Sequence, residues 1–179
     1  MTTYSLTNFD DDIKRGKLGE DIFAQDFLQF LNINYENVTN KQGFMVIDTD
    51  FASLVGSYEI KTNYKDDKQI IIEEYTNINK AYGPISLGWF YKSKCDILVF
   101  ISKETRAMIL IPFTPEFKSA YEHIKENYKL NFNSVSQNRT GDHWQSAYRR
   151  IPLQAISGYF AFYQKVSNAR GYQQEGDAF

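Results

Sequence analysis

The run "CDILVFIS", Cys95 to Ser102, is apolar on both faces of a strand, and it constrains the fold more than any other stretch. Such a strand has no face to offer water, so it belongs in the centre of a sheet. The segments around it are read against that centre. "DIKRGKLGEDIFAQDFLQFLN" (12–32) has the clearest helical period in the chain. At about 100° per residue, Gly16, Glu20, Phe23, Phe27, Phe30 and Leu31 fall on one stripe, so Glu20 shares the face that the phenylalanines are expected to bury. "GFMVIDTDF" (43–51) and "YEIKT" (58–62), joined by the short "ASLVGS", read as an antiparallel hairpin. "QIIIEEY" (69–75) and "AMILIPF" (107–113) are further β-type runs. "TPEFKSAYEHIKENY" opens a helix, with Thr114 as N-cap and Pro115 at the first helical position.

The order helix, three strands, linker, two strands, helix predicts an α/β domain built on one mixed β-sheet flanked by helices. "NFNSVSQNRTGDHWQS" is expected to be a loop, "AYRRIPLQAI" a last strand, and 158–179 a polar, frayed C-terminal tail, which leaves 1–157 as a single domain. With 179 residues, 42% hydrophobic and 23% charged, the chain can bury roughly two thirds of its unfolded surface and needs no staple.

Several functions are disfavoured at this level. One cysteine rules out an internal disulfide, and Cys95 reads as a small buried hydrophobe. His123 and His143 stand far apart and beside no cysteine, so zinc-finger and histidine-nuclease spacings are missing. No phosphate-binding G-x-x-x-x-G-K-[ST] occurs. No apolar run approaches a membrane span and no secretory signal opens the chain, so a cytoplasmic protein without membrane contact is expected. A net charge of −2 and a pI near 5.7 mean that any nucleic-acid contact rests on local patches. An active site, if the chain has one, is therefore built from carboxylates and lysines.

Acid-x-lysine occurs four times, and only Glu59 to Lys61 lies in a strand preceded by another that carries acids, Asp48 and Asp50. Alternation puts Glu59 and Lys61 on one face. A short hairpin can set Asp48 beside Glu59, and the helix bearing Glu20 must pack on that sheet. Clustered carboxylates repel unless a hard cation neutralises them, and Mg²⁺ accepts one or two carboxylates with the rest of its shell from water and phosphate. Asp48, Glu59 and the Ile60 backbone carbonyl could form such a partial shell, with Lys61 placed to meet developing charge on a phosphate. The competing interpretation of Glu59 and Lys61 is a solvated ion pair.

Together, Glu20 in "GKLGE", Asp48 in "MVIDTDF", Glu59 and Lys61 in "YEIKT", the "IIIEEY" strand and "GWFYKSKCDILVFI" resemble the PD-(D/E)XK nuclease superfamily, as found in small phage and mobile-element members. The resemblance covers about 12–156. It lacks the proline before Asp48, which leaves the register open between Asp48 and Asp50. It implies a restriction-endonuclease-like core and Mg²⁺-dependent hydrolysis of DNA phosphodiesters, with Mn²⁺ able to substitute. Asp48 and Glu59 would be metal ligands, Lys61 the catalytic lysine and Glu20 the helix acid, close to the metal directly or through water.

Trp89, Lys92 and Lys94 in "GWFYKSK" interleave aromatics with lysines, and Lys14, Arg15 and Lys17 open the Glu20 helix; both are candidate DNA contacts. The alternative for Trp89 is an anchor in the core. Glu73 and Glu74 read as edge-strand solubility charges, although one of them could reach the site, and Arg149 and Arg150 as pointing to opposite faces, so that at most one serves a shared substrate groove. The absence of a recognition module favours DNA structure or ends over a long base sequence, with dimerisation or a protein partner strengthening modest affinity. The rival function is a catalytically idle protein of the same fold that acts as an inhibitor or assembly factor.

Overall fold

The computed structural model describes residues 6–42, 49–63, 68–133, 135–137 and 143–163. Helix α1 (Leu6–Phe23) passes directly into a π-helical segment, Ala24–Leu28. A π-turn takes up more residues than an α-turn, so it rotates whatever follows it. The expected stripe therefore ends early. Phe23 is fully buried and Phe27 packs beside it, whereas Phe30 and Leu31 are 59% and 46% exposed. Leu28 and Asp26 turn inward instead, and Asp26 is neutralised by Arg106 at 2.5 Å.

The strands follow as β1 (Tyr35–Asn37), β2 (Phe51–Ser53), β3 (Gly56–Asn63), β4 (Gln69–Asn77) and β5 (Ser86–Leu87). After a short helix α2 (Trp89–Lys92) come β6 (Ile97–Ser102), β7 (Met108–Pro112) and helix α3 (Pro115–Ile124). The chain continues through β8 (Leu130–Phe132), β9 (Ser136–Gln137), β10 (His143–Trp144), β11 (Ala147–Pro152) and β12 (Ala161–Tyr163). Helix α3 starts as expected: Thr114 Oγ1 accepts from the Phe117 amide at 3.3 Å.

The protein is mixed α/β. Its main sheet has the order β1-β2-β3-β6-β7-β12 and is itself mixed, since β3 and β6 run parallel while the other neighbours are antiparallel. The expectation of a single sheet is corrected. β4 leaves its sequence neighbour β3 and joins an antiparallel second sheet of order β5-β4-β11-β8, and β9 pairs with β10 separately. Parallel strands need a long crossover, and here the crossover from β3 to β6 is long enough to carry β4, β5 and α2. The expected tail is corrected too. Ala161–Tyr163 pairs with β7, so the main sheet extends past the boundary drawn at 157.

β6 is sandwiched as its composition requires. Val99 and Ile101 pack with Phe23, Tyr58, Ile60 and Met108 under α1. Leu98 and Phe100 pack on the other side with Ile70, Ile72, Phe90, Phe117 and Tyr121. Gly19 lets α1 sit directly on β3, because a Cβ there would lie 2.0 Å from Thr62 Oγ1. Among the described residues no helix is long and apolar enough to cross a membrane.

Candidate active site

The β2–β3 hairpin closes through Leu54 and Val55, with Ser53 opposite Gly56 and Phe51 opposite Tyr58. Asp48 lies outside the described residues. Asp50, the other register, sits just ahead of β2, and its Oδ2 accepts the Ile60 amide at 2.7 Å. A side chain thus replaces a ladder partner where β2 no longer pairs with β3. Because a strand residue presents its N–H and C=O to the same edge, the Ile60 carbonyl faces this side as well.

Glu20 approaches from α1. It is half-buried and accepts from Asn37 Nδ2 and Thr39 Oγ1, both at 3.4 Å. Burial, and next the negative charge of Asp50, raise its carboxyl above the ordinary range. Glu20 therefore feels the charge of Asp50, the residue that binds the Ile60 amide.

Glu59 and Lys61 project from the opposite face of β3, away from Tyr58 and Ile60, which pack under α1. The Glu59 carboxylate is ion-paired to Lys61 Nζ, and Glu59 Oε2 is sealed from solvent. The pair is not a solvated surface bridge: the side chains are 5% and 28% exposed. Lys61 Nζ also lies 5.0 Å from the centre of the Trp89 ring. Trp89 itself is 9% exposed and packs on Phe90 and Phe100, so the anchoring role holds for it.

Lys61 opens onto a cavity of about 350 Å³ between the end of β3 and one face of the second sheet. That face is set by register: Tyr148 stands opposite Glu73 and Arg150 opposite Ile71, and all four line the cavity. Glu73 was expected to be an edge charge and is not. β4 is interior to its sheet, and burial raises the Glu73 carboxyl while Lys61, Thr76 and Lys92 oppose the shift. Glu74, on the other face of β4, is 3% exposed and accepts from Arg149 Nε and Tyr121 OH, each at 2.6 Å. Arg149 and Arg150 do point to opposite faces, and only Arg150 reaches the cavity. Sequence reasoning allowed one of Glu73 and Glu74 and one of Arg149 and Arg150 to reach the site, but it could not choose between them and it missed Tyr148. The alternation of "IIIEEY" and "AYRRIP" held the signal, but only their pairing reveals it.

The Gly-Trp element has a steric cause. The Gly88 amide donates to the Glu74 carbonyl at 2.7 Å, and a Cβ on Gly88 would lie 2.4 Å from the Glu73 carbonyl oxygen. Asp96, just ahead of β6, accepts from Ser57 N and Oγ at 2.8 Å and so clamps the start of β6 to β3. Burial pushes the Cys95 thiol up to about 12, which leaves it inert.

The basic candidates are not brought together. Lys14 and Lys17 are exposed but lie well inside α1 rather than at its start, because the helix begins at Leu6. Lys14 and Arg15 line a shallow hollow with Lys103, distinct from the Lys61 cavity. Lys92 and Lys94 are exposed on and just after α2.

The expected convergence of Glu20, an aspartate and Glu59 is reached in part. Among the described residues no three carboxylate, imidazole or thiolate side chains group closely enough to hold a metal ion. The groups nearest to such a set, the Glu20 carboxylate within electrostatic reach of Asp50 and the Ile60 carbonyl on the edge that Asp50 binds, are hard oxygens. Their number suits Mg²⁺, which commonly takes one or two carboxylates. In comparisons with known proteins, no protein-family model, no curated protein and no solved structure matches the chain.

Proposed function

We propose that this protein is a metal-dependent deoxyribonuclease of the PD-(D/E)XK type, hydrolysing phosphodiester bonds at the β3 edge. The observation that carries the reading is the shielded Glu59–Lys61 pair on β3, held one residue either side of Ile60, whose amide is bound by Asp50. An ion pair whose carboxylate is this deeply buried on a strand flanked by acids is poorly accounted for by solubility, and it suits a lysine aimed by its neighbour.

Glu20, Asp50 and the Ile60 carbonyl would hold the cation, joined by Asp48 if its register brings it near. A bound Mg²⁺ would polarise a phosphoryl oxygen and make its water more acidic. Glu59 orients Lys61, and the Lys61 ammonium donates to phosphate oxygen as negative charge grows there, or holds the attacking water. The Trp89 ring lies beneath the Lys61 ammonium, and Arg150 across the cavity supplies a second cation for the strand.

The test is nicking of supercoiled plasmid in Mg²⁺ and in EDTA, with Asp50→Asn alongside Asp48→Asn. Cleavage that needs Mg²⁺ and is lost in one or both variants supports the reading, and vigorous cleavage in EDTA would sink it. One observation favours the second reading, a catalytically idle binding protein of this fold: Glu59 is occupied by Lys61 and Asp50 by a backbone amide, so each acid already has a structural duty. Sequence-tolerant DNA binding without nicking under any divalent metal would select it.

A further inference from the structure

The nuclease reading leaves the form of the substrate open, and the cavity beside Lys61 speaks to it. Resting on that reading, we infer that this cavity receives one unstacked nucleotide of a single DNA strand, so that the protein acts on unpaired or frayed DNA in preference to intact duplex.

Size is the first observation. About 350 Å³ lies at the lower end of the roughly 300 to 1,000 Å³ typical of small-ligand sites: room for one base with its sugar, not for a base pair in a stack. The second is the arrangement of the walls. Tyr148 is half-buried and faces the cavity, with the Arg150 guanidinium 5.9 Å from its ring centre. Trp89 is buried with Lys61 over its ring, so it forms a floor, and Tyr148 is the ring left to stack a base. Lys61 and Arg150 provide cations for the phosphates on either side.

Third, Glu73 stands directly opposite Tyr148 across the β4–β11 pair, and Asn133 lines the same cavity. A carboxylate repels phosphate but accepts from the amino group of a base, as in acid contacts to cytosine N4. Together these walls match the requirements for holding an extruded base: an aromatic plane, polar groups for its edge and cations for its backbone. They also orient it, with the base toward Glu73 and the phosphate toward Lys61, where the proposed chemistry lies.

The test is fluorescence anisotropy in EDTA, which reads binding without cleavage. The probes are single-stranded oligo(dC), single-stranded oligo(dT) and a blunt hairpin duplex at one salt concentration. The single strands should bind more tightly than the duplex, and oligo(dC) more tightly than oligo(dT). Tyr148→Ala should weaken single-strand binding on the order of tenfold, with duplex binding little changed, and Tyr148→Phe should behave as the parent. Glu73→Gln, which is isosteric and keeps the test alive if Tyr148→Ala does not fold, should erase the preference for cytosine. Equal affinity for single strand and duplex would overturn the inference. So would a folded Tyr148→Ala that binds as the parent does, or a cytosine preference that survives Glu73→Gln. The two proposals fail separately. Selective single-strand binding with no cleavage in Mg²⁺ keeps the pocket and ends the nuclease reading. Mg²⁺-dependent cleavage of blunt duplex with no single-strand preference does the reverse.

Discussion

Replacing Lys61 with methionine separates its structural from its chemical work. The substitution keeps an unbranched apolar stem and removes the ammonium that lies over Trp89, so Glu59, whose side chain is 5% exposed, loses the cation paired with it. Breaking a buried pair from one side typically costs about 3 to 5 kcal/mol. Water reaches the Lys61 end, 28% exposed, so the low end applies: about 3 kcal/mol. For a chain of this length that corresponds to a fall in Tm of roughly 6 to 12 °C. The double variant Glu59→Gln with Lys61→Met removes both charges and should return to within about 1 kcal/mol of the parent. Turnover should not return. Losing one preorganised donor costs about 10² to 10³ in rate, so both variants should nick DNA far more slowly in single-turnover assays with saturating protein. Lys61→Arg should not rescue turnover fully, since a planar fork replaces a point charge. If Lys61→Met melts with the parent, the pair is solvated and the burial reasoning fails. If the double variant cuts at the parental rate, "YEIKT" is an ordinary strand.

Two further outcomes follow from the same region. The Glu20 carboxyl is raised above its unfolded value of 4.5, so its protonated form is favoured in the fold and its contribution to stability is lost as pH rises through the folded pKa. Glu20→Gln should therefore melt higher than the parent at neutral pH and converge with it below about pH 4; a variant less stable at pH 7 would show that Asn37 and Thr39 outweigh burial and Asp50. Gly88→Ala places a Cβ 2.4 Å from the Glu73 carbonyl oxygen, where only backbone could yield, so denaturant titration should show a loss of about 2 kcal/mol or more. A neutral result would mean that α2 can slide along β4.

The separate elements were largely legible in the chain. Thr114 and Pro115 mark the start of α3, the unbroken apolar run of β6 requires cover on both faces, and the alternation of "YEIKT" sets Glu59 and Lys61 together. These signals are local, since caps, periodicity and alternation act within one or two turns or a single strand. The stripe of α1 was legible only as far as Phe27. The π-helical turn that rotates Phe30 and Leu31 outward leaves no local mark, because it is selected by the packing of Leu28 and by the Asp26–Arg106 pair, whose members are eighty positions apart.

Tertiary structure alone decided the partners. Nothing inside "QIIIEEY" says that β4 abandons β3 for β11, yet that choice turns Glu74 into the buried acid of Arg149 and Glu73 into a cavity wall opposite Tyr148. Strand pairing is settled by which apolar faces cover one another across long separations. The composition of a strand says how much must be buried, and only the assembled sheets say against what. The charged residues then take the meaning of their surroundings: Glu59 and Lys61 could read as a surface pair in sequence, and became a shielded pair once Trp89 and the second sheet closed over them.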